Sequence, residues 1–304
     1  MINKDDVAKV KSQGFNKNKG ENNFAGRVLT VNGRITADQL SYIAEAAKLY
    51  GDGNVAFTSR MAVEVQGIPF EHIEDFKNHV AQAGLKTGGG GTKVRPIACC
   101  KGTSCQFGQI DTFGLAEKAH YRFFEGYNSV KLANKFKIAI GGCPSSCAKV
   151  ETNDLGVTGQ TIPKFDPSLC KGCDSCGMEA ACGTKAISFL EGVLTHDPDK
   201  CVHCGRCLTK CHHNIPWERT TGYKITLGGR WGKKMMIGRP MKTILTSEEA
   251  VLDVIENAIL LYKDQAQGTE RLAQVIERLG FDQVETILLS NGPFNRKDEI
   301  LFKK

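Results

Sequence analysis

Thirteen cysteines in a chain of 304 residues are the first feature with chemistry in it, and all lie between Cys99 and Cys211. They form three groups: Cys99, Cys100 and Cys105; Cys143 and Cys147; and eight from Cys170 to Cys211. In the third group Cys170, Cys173 and Cys176 are spaced C-x2-C-x2-C and are followed by Cys182. Cys201, Cys204 and Cys207 repeat the run and are followed by Cys211. Three thiolates at this spacing wrap one face of a 4Fe–4S cubane, and the fourth ligand must come from elsewhere. Structural zinc sites use two C-x2-C pairs and rarely need a third cysteine two residues on, so zinc and disulfides are the weaker alternatives. The five earlier cysteines include two pairs about forty residues apart that could close a third four-thiolate site. Zinc or buried free thiols compete with that reading on spacing alone.

The elements that must carry these residues read as mixed α and β. Thr36 and Gln39 form a capping box opening a helix to Leu49, with Leu40, Ile43, Ala44 and Ala47 on one face. Asn54–Thr58 and Val63–Gln66 alternate as short strands. Phe70–Ala83 reads as a helix closed by Gly84, and Gly88–Gly91 as a loop. Asp111–Phe124 reads as a helix and Phe136–Ile140 as a strand running into Gly141 and Gly142. Thr246 and Glu249 suggest a second capping box opening a long helix through Tyr262, followed by a helix over Thr269–Leu279. The segment 161–216 breaks this pattern. It is crowded with Cys, Gly, Asp and Pro and reads as an insertion that splits the core into residues before 161 and after 216.

Composition limits the function classes. With 41% hydrophobic and 24% charged residues the chain is neither disordered, collagen-like nor a coiled coil. The N-terminus has no apolar stretch after its basic residues, and Ala258–Tyr262 is far too short to span a bilayer. A cytoplasmic location with no membrane span is expected, where clustered cysteines serve metals or redox chemistry. The formal charge of +7 usually suggests nucleic acid or a membrane surface, but no motif supports either partner. There is no G-x-G-x-x-G at a strand–helix turn, so no nucleotide cofactor of its own is expected.

The eight-cysteine segment resembles bacterial two-cluster ferredoxins. The resemblance implies that Cys170, Cys173, Cys176 and Cys211 hold one 4Fe–4S cluster, and Cys201, Cys204, Cys207 and Cys182 the other. Five residues separate Cys176 from Cys182 instead of three, and Gly183 and His212 stand where proline normally follows. His212 and His213 read as surface residues rather than ligands.

The rest of the chain resembles the sulfite and nitrite reductases that couple a sirohaem to a 4Fe–4S cluster. The segments VRPIACCKGTSC and KFKIAIGGCPSSC match that family's C-x5-C and C-x3-C halves, and the tripeptide TSR at 58–60 and YKITLGGRWG at 223–232 extend the match. The implied fold is α+β, a nitrite/sulfite reductase half-fold with the inserted ferredoxin-like domain. Residues 1–160 would be its first part (a ferredoxin-like half domain at about 20–88 and a haem-binding part at about 89–160), 161–216 the insert and 217–304 the second part. The resemblance implies that Cys100, Cys105, Cys143 and Cys147 hold a third cluster, with Cys99 the alternative to Cys100. Cys99 keeps the five-residue spacing, whereas Cys100 keeps the C-x-G order and the distance from Arg95. Cys147 matches the cysteine that bridges cluster and haem iron.

Four basic residues match the family's anion site: Arg60, Arg95, Lys135 and Lys137. In a strand Lys135 and Lys137 share a face, with Phe136 turned into the core. Arg230, Arg27 and Lys93 are weaker candidates for salt bridges to haem carboxylates. The implied activity is six-electron reduction of sulfite to sulfide. Nitrite reduction to ammonium, or electron transfer without a haem, are the alternatives. The implied partners are an electron-donating iron–sulfur subunit and a flavin subunit oxidising NADH, or a ferredoxin. Only one copy of the half-fold is present, so self-association or a partner subunit is expected to complete the pocket. Three oxidised cubanes at roughly −6 and eight haem carboxylates at about −8 would turn the +7 chain acidic, near −7.

Overall fold

The computed structural model describes residues 2–19, 22–164, 166–213 and 218–303. The boundary expected at 216/217 lies outside the described residues.

The N-terminal part is a four-stranded antiparallel sheet. Strands β1 (Phe15–Lys17), β2 (Asn23–Val28), β3 (Val55–Phe57) and β4 (Val63–Pro69) lie in the order β1-β2-β4-β3. Helices α1 (Lys4–Ser12), α2 (Ala37–Tyr50) and α3 (Ile73–Gln82) cover one side and enclose Phe15, Phe24, Ile43, Ile68 and Phe76. The capping box of α2 forms as expected: Thr36 accepts from the Gln39 amide and Gln39 from the Thr36 amide. Its inward face differs from the expected one. Leu40 and Ala44 are exposed, and Ile43, Ala46 and Ala47 are buried. The apolar stripe therefore sits one position further round the helix, where it meets α3.

The larger part is built on a five-stranded sheet, order β11-β10-β7-β6-β5. Its members are β5 (Ala98–Cys99), β6 (Ile138–Gly141), β7 (Leu155–Lys164), β10 (Glu218–Leu227) and β11 (Arg239–Leu245). Strands β5, β6 and β7 run parallel, and β7, β10 and β11 antiparallel. Buried on both faces, β6 reads as the unbroken apolar run Ile-Ala-Ile-Gly, as central parallel strands do. Helix α4 (Thr112–Ala119) is capped by Asp111 and runs into one π-helical stretch, His120–Glu125. Helix α6 (Glu248–Gln265) starts one residue later than expected. Ser247 is its cap, accepting from the Ala250 amide, so the Thr246/Glu249 box does not form. Leu272–Leu279 follows as a helix, shorter at its start than Thr269 suggested, and three short helices complete the C-terminus.

The cysteine-rich segment leaves the tip of β7 and returns on β10, which pair residue for residue from Lys164–Glu218 to Leu155–Leu227. It contains helix α5 (Gly177–Ala181) and the hairpin of β8 (Ile187–Leu190) and β9 (Val193–His196). Its apolar centre is Met178, Ile187 and Leu194. No described helix is long and apolar enough to cross a membrane.

Candidate functional site

Basic residues converge where the two sheets meet. A cleft of about 200 Å³ is lined by Arg27, Arg60, Arg95, Lys135 and Lys137, with Gly89 and Pro96 beside them. Parallel pairing explains the convergence. Val94 bridges Phe136, the Arg95 amide donates to the Phe136 carbonyl at 2.8 Å, and Phe136 is fully buried. Alternation then sends Lys135 and Lys137 to the face opposite Phe136.

The charges are held in different ways. Arg60 donates to the carbonyls of Pro96 (2.6 Å) and Ile138 (2.8 Å) and to Asn153 Oδ1 (2.8 Å), so its fork ties the Thr58–Met61 turn to the large sheet. Burial pulls its pKa down to about 10. Arg27 is paired with Glu64 at 2.6 Å. Arg95 donates to the Gly89 carbonyl, while its buried Nε has no partner among the described residues. The ammonium groups of Lys135 and Lys137 make no hydrogen bond or ion pair among the described residues; the carboxylate that acts on them, Asp154, is itself paired with Arg271. Burial, then the neighbouring cations, lowers the pKa of both, that of Lys137 to about 8. A cleft with surplus, desolvated positive charge and unpaired donors is suited to a small anion.

Two residues behind this cleft carry no signal in the sequence. Arg271 and Asp154 form a buried ion pair at 2.6 Å, and Asp154 also accepts the Lys137 amide at 2.9 Å. Burial pushes the Asp154 carboxyl up against the pull of Arg271. Neither had a local signal, because they are separated by 117 positions and meet only through the fold. Arg230 contributes to the field at Lys135. Lys93 lies elsewhere, on a separate cavity of about 470 Å³ behind the glycine loop, 3.4 Å from Asn128.

The first cysteine-bearing loops meet backbone to backbone. A Cβ on Gly102 would lie 2.7 Å from Gly142 Cα, so both positions require glycine and the Cys100–Cys105 and Cys143–Cys147 loops touch. Cys100 and Cys99 are on opposite sides of the strand. Cys100 Sγ accepts the Gly142 amide at 3.1 Å, beside Cys143. Cys99 is buried in the core, its Sγ 3.1 Å from the Asn32 carbonyl, and burial pushes its thiol to about 12. Cys147 is exposed, between Ser146 and Lys149, both at positive φ (46° and 47°). Arg60 connects to this loop through Asn153, whose Nδ2 donates to the Lys149 carbonyl at 3.1 Å.

In the insert, the thiols of Cys182, Cys201, Cys204 and Cys207 lie within electrostatic reach of one another. Burial, then these neighbours, pushes Cys207 up to about 11. Cys182 accepts the Ala186 amide at 3.1 Å. Cys170, Cys176, Cys182, Cys207 and Cys211 all pack on the small apolar centre, and Gly177, next to Cys176, abuts the carbonyl of Lys210, next to Cys211. Gly172, His203 and Gly205 adopt positive φ between the cysteines of each run. Such turns aim successive amides inward and suit an anionic iron–sulfur core. Among the described residues no three His, Cys, Asp or Glu side chains close on a single metal ion. A cubane makes a different demand, distributing its four thiolates over four irons.

The chain matches the family "Nitrite and sulphite reductase 4Fe-4S domain" over residues 90–290 and the "Nitrite/Sulfite reductase ferredoxin-like half domain" over 16–83. It is 31% identical over 247 residues to the coenzyme F420-dependent sulfite reductase of Methanocaldococcus jannaschii, covering 80% of this chain but only 38% of that protein. It is 26% identical over 291 residues to one polypeptide of the anaerobic sulfite reductase of Salmonella typhimurium, covering 86% of this chain and 82% of that one. Among solved structures it is similar to dissimilatory sulfite reductase I, with a TM-score of 0.70 at 20% identity over 87% of this chain and 68% of the other.

Proposed function

Because the chain belongs to the nitrite and sulphite reductase family, we propose that it is a sulfite-reducing polypeptide taking sulfite to sulfide. The balance is one hydrogensulfite, six electrons and six protons giving one hydrosulfide and three waters. The observation that carries this reading is the cleft of Arg60, Arg95, Lys135 and Lys137, whose two ammonium groups make no ion pair among the described residues and feel only the Asp154 carboxylate, itself paired with Arg271.

Sirohaem, when bound, would supply an iron that holds the substrate sulfur and accepts electrons one at a time. The residues of the chain do the rest. Lys135 and Lys137 bind the oxyanion and, with the pKa of each lowered by burial and that of Lys137 to about 8, deliver protons as each oxygen leaves as water. Arg95 and Arg60 hold fixed charge beside them, since a guanidinium does not give up its proton. Arg27 and Arg230 would pair with haem carboxylates, Arg27 in place of its present partner Glu64. The remote Lys93 is the weakest of these candidates. Cys100, Cys105, Cys143 and Cys147 would hold one 4Fe–4S cluster, and Cys147, the exposed one of the four, would also hold the sirohaem. The insert, which leaves the large sheet at the tip of β7, would hold two more and admit electrons from a separate donor, an iron–sulfur or flavin subunit or a ferredoxin. Such a protein works in the cytoplasm.

The test is an anaerobic preparation with iron, sulfide and sirohaem quantified, followed by competing rates with sulfite and nitrite. About twelve irons per chain in clusters, sirohaem bands, and a higher kcat/KM for sulfite are expected. A nitrite kcat/KM far above that for sulfite would move the assignment to nitrite. Iron–sulfur absorption without sirohaem, from cells able to make it, would reduce the chain to an electron carrier.

A further inference from the structure

One residue outside both cysteine sets touches both of them. Gln109 lies on the loop after Cys105, and its amide donates to the Gly142 carbonyl at 2.7 Å, next to Cys143. Its side chain reaches into the insert. Nε2 donates to the Cys204 carbonyl at 3.3 Å, and Oε1 accepts from the Thr161 hydroxyl. Thr161 adds a second tie, its amide donating to the His203 carbonyl at 2.8 Å. Beside this latch Arg206 lies over the Phe107 ring at 5.5 Å. A cleft of about 170 Å³ separates the two parts, lined by Cys143 and Pro144 on one side and Gly183, Val202 and Cys204 on the other. None of Cys170, Cys173, Cys176 and Cys211 lines it.

We propose that Gln109 is the positioning residue that docks the second cysteine run of the insert onto the Cys105 and Cys143 loops, and that this sets the order of electron entry. The inference rests on the proposed function. The group Cys182, Cys201, Cys204 and Cys207 faces the core loops and is the inner relay. The group Cys170, Cys173, Cys176 and Cys211 is the outer one, where a donor docks. Each transfer oxidises the inner centre by one electron and reduces the core centre by one, with no bond made or broken.

The test compares Gln109→Ala and the near-isosteric Thr161→Val with wild type, each fully loaded and anaerobic. Amide exchange by mass spectrometry reads the segment containing Thr161, and electron paramagnetic resonance reads the magnetic interaction between reduced clusters. Loss of one latch bond should speed exchange there about fivefold and weaken the interaction, at unchanged iron content. Unchanged exchange and interaction in both variants overturn the latch. For the order, Cys173→Ser should keep the interaction with the core cluster and Cys207→Ser should lose it; the reverse overturns the order. Wild type lacking clusters in the insert would overturn the functional reading instead, and the exchange measurement would still decide the latch.

Discussion

The anion cleft and the cysteine-rich insert do their chemistry on opposite kinds of support. Around the cleft, strands β5, β6 and β7 and helix α6 bury a continuous core including Phe136, Ile138, Ile140, Val157, Ile255 and Tyr262. That core is large enough to hold cations out of water beside one another. The insert has Met178, Ile187 and Leu194, with its own cysteines packed around them. A segment this small cannot bury enough apolar surface to fold alone, and metal ligation is the usual remedy. The cleft is therefore preorganised by packing, and the insert by whatever its thiolates bind.

The largest effect expected from this contrast is seen on stripping the metal. Chelation after oxidative cluster loss should abolish amide protection in residues 166–213, while Ile138–Val157 stays protected. Limited proteolysis would report the same split. An insert that kept its protection without metal would show that three apolar side chains suffice.

Next in size is the pair Cys99 and Cys100. Cys100→Ala should remove the core cluster, read as the loss of about four irons per chain. Cys99→Ala should keep it and lower stability by only ~1 kcal/mol, as for a small core truncation. Full cluster content in Cys100→Ala would reverse the assignment. The sequence left this pair open because spacing favoured one cysteine and local order the other. Strand alternation separates them, burying Cys99 against Asn32 and turning Cys100 toward Gly142.

That case marks how far the sequence could be read. The cysteine runs, the capping box of α2, the glycine loop and the Lys135/Lys137 face were legible because each is a short-range pattern. The rotation of the α2 face was not, since it depends on where α3 packs. Nor were Asp154, Arg271 and Gln109, whose partners are distant in the chain. The role of Arg60 also changed in kind. Its motif predicts a residue facing substrate, yet four of its hydrogen bonds go to Pro96, Ile138 and Asn153, making it a strut as well as a charge.

The buried pair behind the cleft comes third. Asp154→Asn leaves Arg271 buried without its counter-charge and should destabilise the core by about 3–5 kcal/mol. Denaturant melts would measure it. Arg271→Met alone should fall in the same range, and the combination with Asp154→Leu should recover most of the loss. Additive losses would mean that the two side chains act independently.

The smallest effect concerns Lys137 and has a definite sign. Its pKa is about 8 in the folded chain against an ordinary value of 10.5, so the folded state disfavours its charge. Below pH 8 the residue is protonated in both states and the penalty is fully present. Between about 8 and 10.5 the unfolded chain holds the extra proton, so stability contributed by this site rises with pH. Lys137→Met should therefore raise the melting temperature of the cofactor-free protein at pH 7, and that gain should fade as the pH climbs through 8 toward 10.5. Sulfite should work the other way, stabilising wild type more than the variant at pH 7 because the anion supplies the missing counter-charge. Lys118, exposed and paired with Glu248, is the control. Lys118→Met should give no such gain, and the same pH-dependent gain in both variants would trace it to net charge rather than to a desolvated cleft.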